Sequence, residues 1–225
     1  MKIKNLICLI SVSMILAFSL TFFSCGQKND KNSQSKTTKK EDESKLSNIN
    51  AKTNNIKNSL LKMISDKKAF APGSYSTGQI PEGEYAFLVQ GSGYYSEEVN
   101  CEIIDNENFA SFGYVYNHGM GNIKCDGILI NIQYLGETGH SSIKSLYENI
   151  TGQKNYNFSG HYKIGVDIPQ GNYILQSVGT GYMEINQGPI GKSNIIDNDN
   201  FNGSKSITLL NGQYLKLNRV KIKLQ

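Results

Sequence analysis

Three histidines, His118, His140 and His161, are the side chains best suited to proton transfer or metal binding in this sequence. Their separations do not follow the short spacings that metal-binding histidines share in common motifs. The sequence also lacks the Gly-x-Ser-x-Gly nucleophile turn, the His-Glu-x-x-His zinc motif and the phosphate-binding loop. We therefore expect no catalytic residue, no metal ion and no cofactor, and we predict that the chain is not an enzyme. A hydrolase whose groups come together from distant positions stays open.

Two acidic segments, Asp105–Asn108 and Asp197–Asn200, carry oxygen ligands at alternate positions, as the start of a calcium-binding loop does. Both lack the glycine and the distant glutamate of an EF-hand. Asp and Asn also form turns through hydrogen bonds from their side chains to the backbone. Because the pattern occurs twice, we predict that both segments are turns.

Two cysteines, Cys101 and Cys125, lie in the part of the chain that is rich in strand formers. An even pair of cysteines outside the cytoplasm favours a disulfide. The bond would close a loop of about 25 residues and stabilise the fold by about 3 kcal/mol. The alternative is a pair of buried free thiols.

One sequence pattern occurs twice and organises the rest of the chain. The first copy, Gly73–Tyr85, reads Gly-Ser-Tyr-Ser-Thr-Gly-Gln-Ile-Pro-Glu-Gly-Glu-Tyr, and the second, Gly160–Tyr173, reads Gly-His-Tyr-Lys-Ile-Gly-Val-Asp-Ile-Pro-Gln-Gly-Asn-Tyr. Both continue through a Gly-Tyr pair, an Ile-Ile-Asp-Asn segment and a glycine turn. Alternating aliphatic and polar residues, as in Val220–Leu224, predict strands, and the Pro-x-Gly steps predict turns between them.

Comparing the two copies separates residues that the fold demands from residues that are free to bind something. The tyrosines shared by both copies are predicted to be core and corner residues. Tyr95, Tyr114, Tyr116 and His118 have no aromatic counterpart in the second copy, so we predict a ligand surface there. The alternative is that they are ordinary cross-strand pairs on a half-exposed sheet. The residues at the matching positions of the second copy are Met183, Ser206, Thr208 and Leu210.

The predicted fold class is mainly β, with two homologous sandwich-like or jelly-roll-like repeats preceded by a short helix and a disordered tether. A repeat of about 65–70 residues is only marginally stable alone, so we expect the two repeats to share an interior rather than to form two separate beads. The predicted boundaries are 1–24 for a signal peptide, 25–45 for the tether, 46–69 for the helix, 70–137 for β repeat 1, 138–157 for a linker and 158–225 for β repeat 2.

The N-terminal segment has the features of a bacterial lipoprotein signal. Lys2 and Lys4 precede an apolar run that ends at Phe22-Phe23-Ser24-Cys25. This sequence is similar to a lipobox, with phenylalanine where leucine is commonest, so Cys25 is the predicted lipidation site. The alternative is a plain secretory signal with an incidental cysteine.

The second copy resembles a repeat of bacterial surface lipoproteins, Gly-x-Tyr-x-Val-Gly-x-Asp-Ile-Pro-x-Gly-x-Tyr, followed later by Gly-Gln-Tyr-Leu. In the second copy Ile164 replaces the valine, and the first copy lacks the aspartate and has Gly121-Asn122-Ile123 in place of Gly-Gln-Tyr. The resemblance implies a secreted β module and no particular activity. The matching residues are Gly160, Tyr162, Gly165, Asp167, Ile168, Pro169, Gly171, Tyr173 and Gly212–Leu215.

Charge argues against nucleic acid as a partner, because residues 69–225 hold 10 lysines and arginines against 14 acids. We expect an extracytoplasmic lipoprotein at the bacterial cell surface, anchored to the membrane through Cys25. Its expected role is non-catalytic binding or adhesion, with a glycan, peptide or matrix partner. The alternative is a structural envelope spacer or assembly protein without a small ligand.

Overall fold

The computed structural model describes residues 53–153 and 159–223. The predicted signal peptide, the lipidation site Cys25 and the tether lie outside the described residues. In the described ranges no helix has the length and the apolar character needed to span a membrane.

Helix α1 occupies residues 53–65 of the described chain and confirms that a short helix precedes the sheets. Ile56, Leu60 and Met63 follow one another at helical spacing, so they form one apolar stripe, and all three are buried. The helix ends before the predicted limit at residue 69, because Lys67 has a left-handed backbone conformation (φ 56°) and the next residues begin a strand. Residues 46–52 of the predicted helix lie outside the described chain.

The first half of the fold consists of eight strands in two antiparallel sheets. The central sheet has the order β1-β8-β3-β6, and the outer sheet has the order β2-β7-β4-β5. The strands are β1 (Ala69–Phe70), β2 (Gly73–Tyr75), β3 (Gly83–Leu88), β4 (Gly93–Val99), β5 (Glu102–Phe109), β6 (Phe112–Asn117), β7 (Asn122–Cys125) and β8 (Ile128–Asn131).

Two helical segments follow, a 3-10 helix (Ile132–Thr138) and helix α2 (Ile143–Thr151). Ser142 caps α2 by accepting a hydrogen bond from the backbone N–H of Ser145. The predicted linker therefore contains an ordered helix whose residues Ile143 and Leu146 are fully buried.

The second half is one five-stranded antiparallel sheet with the order β11-β10-β13-β9, in which β12 also pairs with β10. Its strands are β9 (Ser159–Lys163), β10 (Gly171–Asn186), β11 (Ile195–Phe201), β12 (Ser204–Leu209) and β13 (Tyr214–Lys223). The single long strand β10 corresponds to the two strands β3 and β4 of the first half. The long strand β13, which pairs with β10, corresponds in the same way to β7 and β8.

The two halves also pair their strands in the same register. Glu97 faces Asp105 in the first half as Ile185 faces Asp197 in the second. Tyr85 faces Val115 as Tyr173 faces Ile207. Equivalent positions can therefore be compared directly between the halves.

The repeated Ile-Pro-x-Gly-x-Tyr step builds the same corner in both halves. The Tyr85 hydroxyl donates to the Pro81 carbonyl at 2.8 Å, and the Tyr173 hydroxyl donates to the Pro169 carbonyl at 2.7 Å. The glycine between them has φ of 150° at Gly83 and 152° at Gly171, a conformation that side chains rarely adopt. These repeated residues are structural, as predicted.

Two apolar clusters hold the fold together, one on each face of the central sheet. Tyr85, Phe87 and Leu129 point from this sheet toward the outer sheet. The opposite face packs on both helices and on the second-half sheet in one continuous cluster. The expectation that the halves share an interior is confirmed. Members of the shared cluster include Leu60, Ala86, Leu88, Phe112, Tyr114, Ile130, Leu146, Tyr162, Leu175, Leu215 and Leu217.

The prediction that Asp105–Asn108 and Asp197–Asn200 are turns is wrong, because both segments lie within strands, β5 and β11. Each of these strands is the last in its sheet order, so one of its edges has no neighbouring strand. The asparagines of both segments are exposed, and polar residues are tolerated in a strand with one free edge.

The predicted disulfide is also wrong, since Cys101 and Cys125 are both free thiols. Cys101 lies in the turn between β4 and β5, whereas Cys125 in β7 pairs with Tyr95, near the other end of β4. The four residues from Tyr95 to Val99 alone span about 13 Å of strand. A disulfide requires Cα atoms within about 7 Å.

Candidate functional site

The predicted ligand surface is wrong for two of its four residues. Tyr95 has no exposed surface and Tyr114 is 2% exposed, so neither ring is available to a ligand. Tyr95 lies in the cluster between the two sheets of the first half, and Tyr114 lies in the cluster shared by both halves.

Tyr116 and His118 are partly exposed at the end of β6, and they lie together. Their rings meet edge to face at 5.4 Å. The Tyr116 hydroxyl donates to the Glu82 carboxylate at 2.6 Å, and the Lys192 ammonium lies 3.4 Å above the Tyr116 ring centre. Lys192 belongs to the second half, so this surface is built from both halves.

The His118 ring approaches two carboxylates, and we call Glu97, Asp105 and His118 the His118 cluster. His118 Nδ1 lies 2.9 Å from Glu97 Oε2 and 3.5 Å from Asp105 Oδ2. The possible ligand atoms of the three residues all lie within 4.8 Å of one another. Glu97 is fully buried, whereas the side chains of His118 and Asp105 are 23% and 24% exposed.

The local backbone explains how a fully buried carboxylate is held. The loop that follows β6 folds over Glu97, and the backbone N–H groups of His118 and Gly121 donate to it at 3.0 and 3.2 Å. A side chain at position 121 would meet Glu97 Cγ at 2.7 Å, so only glycine lets the loop come this close. Buried charges require such partners.

The electrostatics of the cluster follow from its burial. Burial raises the pKa of Asp105, and the neighbouring Glu97 charge raises it further, whereas His118 opposes the shift. Burial is likewise the main reason that the pKa of Tyr95 lies far above its usual value, followed by the charges of Glu97 and Asp105. The Tyr95 hydroxyl is buried without a hydrogen-bond partner.

The second half shows what the fold itself needs at these positions. Glu97 corresponds to Ile185 by strand register, Asp105 corresponds to Asp197, and His118 follows β6 as Leu210 follows β12. Ile185 is 5% exposed and packs in the shared apolar cluster. An apolar residue therefore fills the Glu97 position in the second half, and the buried carboxylate is specific to the first.

A segment of the second half lies against this site. Residues 187–194 join β10 to β11, where the first half has only a tight turn at Asn100 and Cys101. The backbone of Ile190 pairs with the edge of β6, accepting from Tyr116 N–H at 2.6 Å and donating to the Tyr114 carbonyl at 3.2 Å. Segment 187–194, which is longer than the matching turn of the first half, thus packs on β6 near the His118 cluster.

Sequence reasoning found His118 and Tyr116, assigned Asp105 to a turn instead of a ligand site, and missed Glu97. The available signal was the mismatch between Glu97 and Ile185, which an alignment of the two copies through β4 reveals. Strand alternation then places Glu97 on the same inward face as Tyr95. Asp105 was hidden because the second copy also has an aspartate there.

The arrangement brings one imidazole nitrogen and two carboxylates within 4.8 Å of one another, with two of the three side chains partly exposed. Such a set can hold a divalent cation, or it can serve as a buried ion pair that fixes the loop after β6. A separate shallow groove of about 370 Å³ lies on the other face of the outer sheet and does not include the cluster. The charged residues that line this groove are Glu98 and Lys124.

No protein-family model matches the chain, and neither a curated protein nor a solved structure is significantly similar to it.

Proposed function

We propose that this chain is an extracytoplasmic lipoprotein, anchored through Cys25, whose folded part is a non-catalytic binding module. Binding takes place at the junction of the two halves, through the His118 cluster and Tyr116. The observation that supports the site most directly is the buried Glu97, at a position that the second half fills with Ile185.

The nature of the exposed groups favours a polar partner. Tyr116 offers part of an aromatic ring beside His118 and the Asp105 carboxylate, and aromatic residues bind sugars or peptides at low entropic cost. A glycan, a peptide or a matrix protein matches this chemistry. Nucleic acid does not, because the carboxylates here repel phosphate.

A structural role in the envelope is the second candidate, and one observation favours it. Both edge strands carry two exposed isoleucines near their N-terminal end, Ile103 and Ile104 in β5 and Ile195 and Ile196 in β11. Exposed apolar residues on a free strand edge are typical of assembly surfaces.

Anchoring is tested by expressing the full chain in bacteria with radiolabelled palmitate and separating the membrane fraction. We expect label and membrane retention that both disappear in Cys25→Ala. Equal labelling of the Cys25→Ala chain would contradict the anchoring proposal.

Binding is tested by applying the full chain in detergent to glycan and matrix-protein arrays. We expect a binding partner whose signal falls at least tenfold in Tyr116→Ala and is unchanged in Tyr94→Ala, since Tyr94 is partly exposed on another face of the outer sheet. Binding that Tyr116→Ala leaves intact, and that substitution of the edge isoleucines removes, would favour the assembly role instead.

A further inference from the structure

The geometry points to a binding site for a first-row divalent transition cation of the Zn²⁺ type, with Glu97, Asp105 and His118 as its ligands. This inference deepens the proposed function and rests on it, because it names the ligand class of the same site.

The spacing of the three side chains suits such a cation. Ligand atoms about 2.1 Å from a tetrahedral cation lie about 3.4 Å from one another. His118 Nδ1 lies 2.9 Å from Glu97 Oε2 and 3.5 Å from Asp105 Oδ2, and no pair of ligand atoms exceeds 4.8 Å. Small side-chain rotations that move each ligand atom by less than about 1 Å would bring all three atoms within coordinating distance of one cation.

The chemistry of the ligand atoms selects the type of metal. Imidazole with carboxylates is a common ligand set for zinc and its neighbours in the first transition row. Calcium takes six to eight oxygen ligands, and magnesium usually keeps most of its waters, so two carboxylates and an imidazole match neither well.

A second and independent observation concerns Tyr95, whose side chain is fully buried and whose hydroxyl has no hydrogen-bond partner. Tyr95 and Glu97 lie two residues apart on one strand and therefore share its inward face. An unmade hydrogen bond in the interior costs about 1–3 kcal/mol. A hydrated cation beside Glu97 supplies the Tyr95 hydroxyl with a water molecule to pair with.

The comparison between the halves supports a ligand role for Glu97. Replacing a buried charge by an apolar residue is often neutral or stabilising, and the second half has the buried Ile185 at the position of Glu97. A purely structural need is therefore met without charge in the second half. A bound cation is a reason to keep the carboxylate in the first.

The site is also open on one side. His118 and Asp105 are each about one quarter exposed at their side chains, whereas Glu97 is covered by the loop after β6. A cation can therefore enter from solvent and keep a coordination position that faces outward, where a polar partner can bind.

The test is titration of the purified full chain with ZnCl₂ by calorimetry, together with Co²⁺ absorption spectra. We expect one cation per chain and a Co²⁺ spectrum without the near-ultraviolet band that thiolate ligands produce. Affinity should fall about tenfold or more in Asp105→Asn and in His118→Gln. Thermal unfolding of each variant confirms that it is folded.

Matched controls separate this site from other zinc ligands. Asp197→Asn changes the equivalent aspartate of the second half, Cys101→Ser removes the exposed thiol, and His140→Gln removes a partly exposed histidine. None of the three should change the affinity of the one-to-one site.

Absence of stoichiometric binding, or equal binding by Asp105→Asn and wild type, overturns the inference. Array binding that depends on Tyr116, together with the absence of stoichiometric cation binding, would leave the proposed function in place while removing the cation site. Loss of both Tyr116-dependent and cation binding would remove both.

Discussion

Asp167 connects three elements across the interior. Its carboxylate accepts hydrogen bonds from the Tyr114 hydroxyl at 2.8 Å and from the backbone N–H groups of Lys163 and Lys144 at 2.8 and 3.1 Å. It therefore joins β6, β9 and the first turn of α2. Burial raises the pKa of Asp167, although these hydrogen bonds oppose the shift. The aspartate of the repeated pattern, absent from the first copy, acts as a contact between halves.

Removing the Tyr114 hydroxyl tests this connection. Tyr114→Phe should lower the free energy of unfolding by about 1–3 kcal/mol, because Asp167 loses a partner in the interior. Urea denaturation measures the change. Tyr116→Phe is the matched control, since its hydroxyl bonds to Glu82 at an exposed position, and we expect a loss below about 1 kcal/mol. Equal losses in the two variants would contradict the role given to Asp167.

His161 gives the fold a dependence on pH. Burial, with a smaller effect of the Lys216 charge, lowers the pKa of His161 from 6.5 to about 3, and its ring packs against Phe109 at 4.6 Å. Lys216 is in turn paired with Glu107. Because the folded-state pKa is depressed, the contribution of neutral His161 to stability is complete above pH 6.5 and is lost as the pH falls from 6.5 toward 3.

Between pH 8 and pH 5, wild type should lose about 2 kcal/mol more unfolding free energy than His161→Phe, which keeps a ring but cannot be protonated. Urea denaturation at both pH values measures the difference. His140→Gln serves as control and should follow wild type. Parallel pH dependence in wild type and His161→Phe would show that His161 is not the titrating group.

At the residue scale, the sequence identified the corner tyrosines but not the buried ones. Tyr85 and Tyr173 recur in both copies, and a shared residue indicates a shared structural need. Tyr95 and Tyr114 are aromatic in one copy only, and that pattern is the same whether a residue binds a ligand or fills an interface. Burial decided between the two, and it depends on how the sheets pack: the two first-half sheets around Tyr95, and the two halves around Tyr114.

At the scale of elements, the segment 187–194 distinguishes the two halves most clearly. It replaces a tight turn by eight residues, of which Ile190 pairs with β6 and Gly191 packs next to the Tyr116 carbonyl. Gly191 has φ of 93°, and a side chain there would meet the Tyr116 carbonyl oxygen at 2.5 Å. The segment therefore depends on glycine for both its conformation and its contact.

Gly191→Ala should destabilise the fold by more than the roughly 1–2 kcal/mol that a left-handed backbone conformation alone costs. Gly203→Ala is the matched control, because Gly203 has φ of 85° and no atom within 4 Å of an added side chain. Urea denaturation of both variants gives the comparison. An effect of Gly191→Ala no larger than that of Gly203→Ala would mean that the contact with β6 does not constrain the segment.

Strand and helix types were largely predictable, whereas two polar segments were not. Residues Asp105–Asn108 place oxygen ligands at every second position, and this is also the repeat of a strand with one polar face. Turn chemistry and edge-strand chemistry use the same residues, so composition alone did not separate them. Helix α2 lies in the segment assigned to a linker, and its buried face of Ile143 and Leu146 was not predicted.

At the scale of the whole molecule, the two halves carry opposite charge. Residues 69–137 hold nine acids and one lysine, whereas residues 138–225 hold five acids and nine lysines and arginines. Ion pairs cross between the halves, as in Lys163 with Glu84 at 2.8 Å. Attraction between the halves therefore adds to the shared apolar cluster.

A chain that ends at residue 157 should fail to unfold cooperatively in urea, because one face of its central sheet loses its cover. That face includes Ala86, Leu88 and Phe112, all buried in the complete fold. Circular dichroism of the truncated and full chains under the same conditions gives the comparison. A sharp transition in the truncated chain would show that the first half is stable by itself.

The shortest strand has a mechanical consequence. Strand β1 is only two residues long, and it pairs with β8 at the edge of the central sheet, with Ala69 in one apolar cluster and Phe70 in the other. Tension applied from the N-terminal side reaches α1 and then β1 before any longer strand. Separating β1 from β8 removes Ala69 from one apolar cluster and Phe70 from the other. The few hydrogen bonds between β1 and β8 therefore limit how strongly the folded part resists a force applied at its N-terminal side.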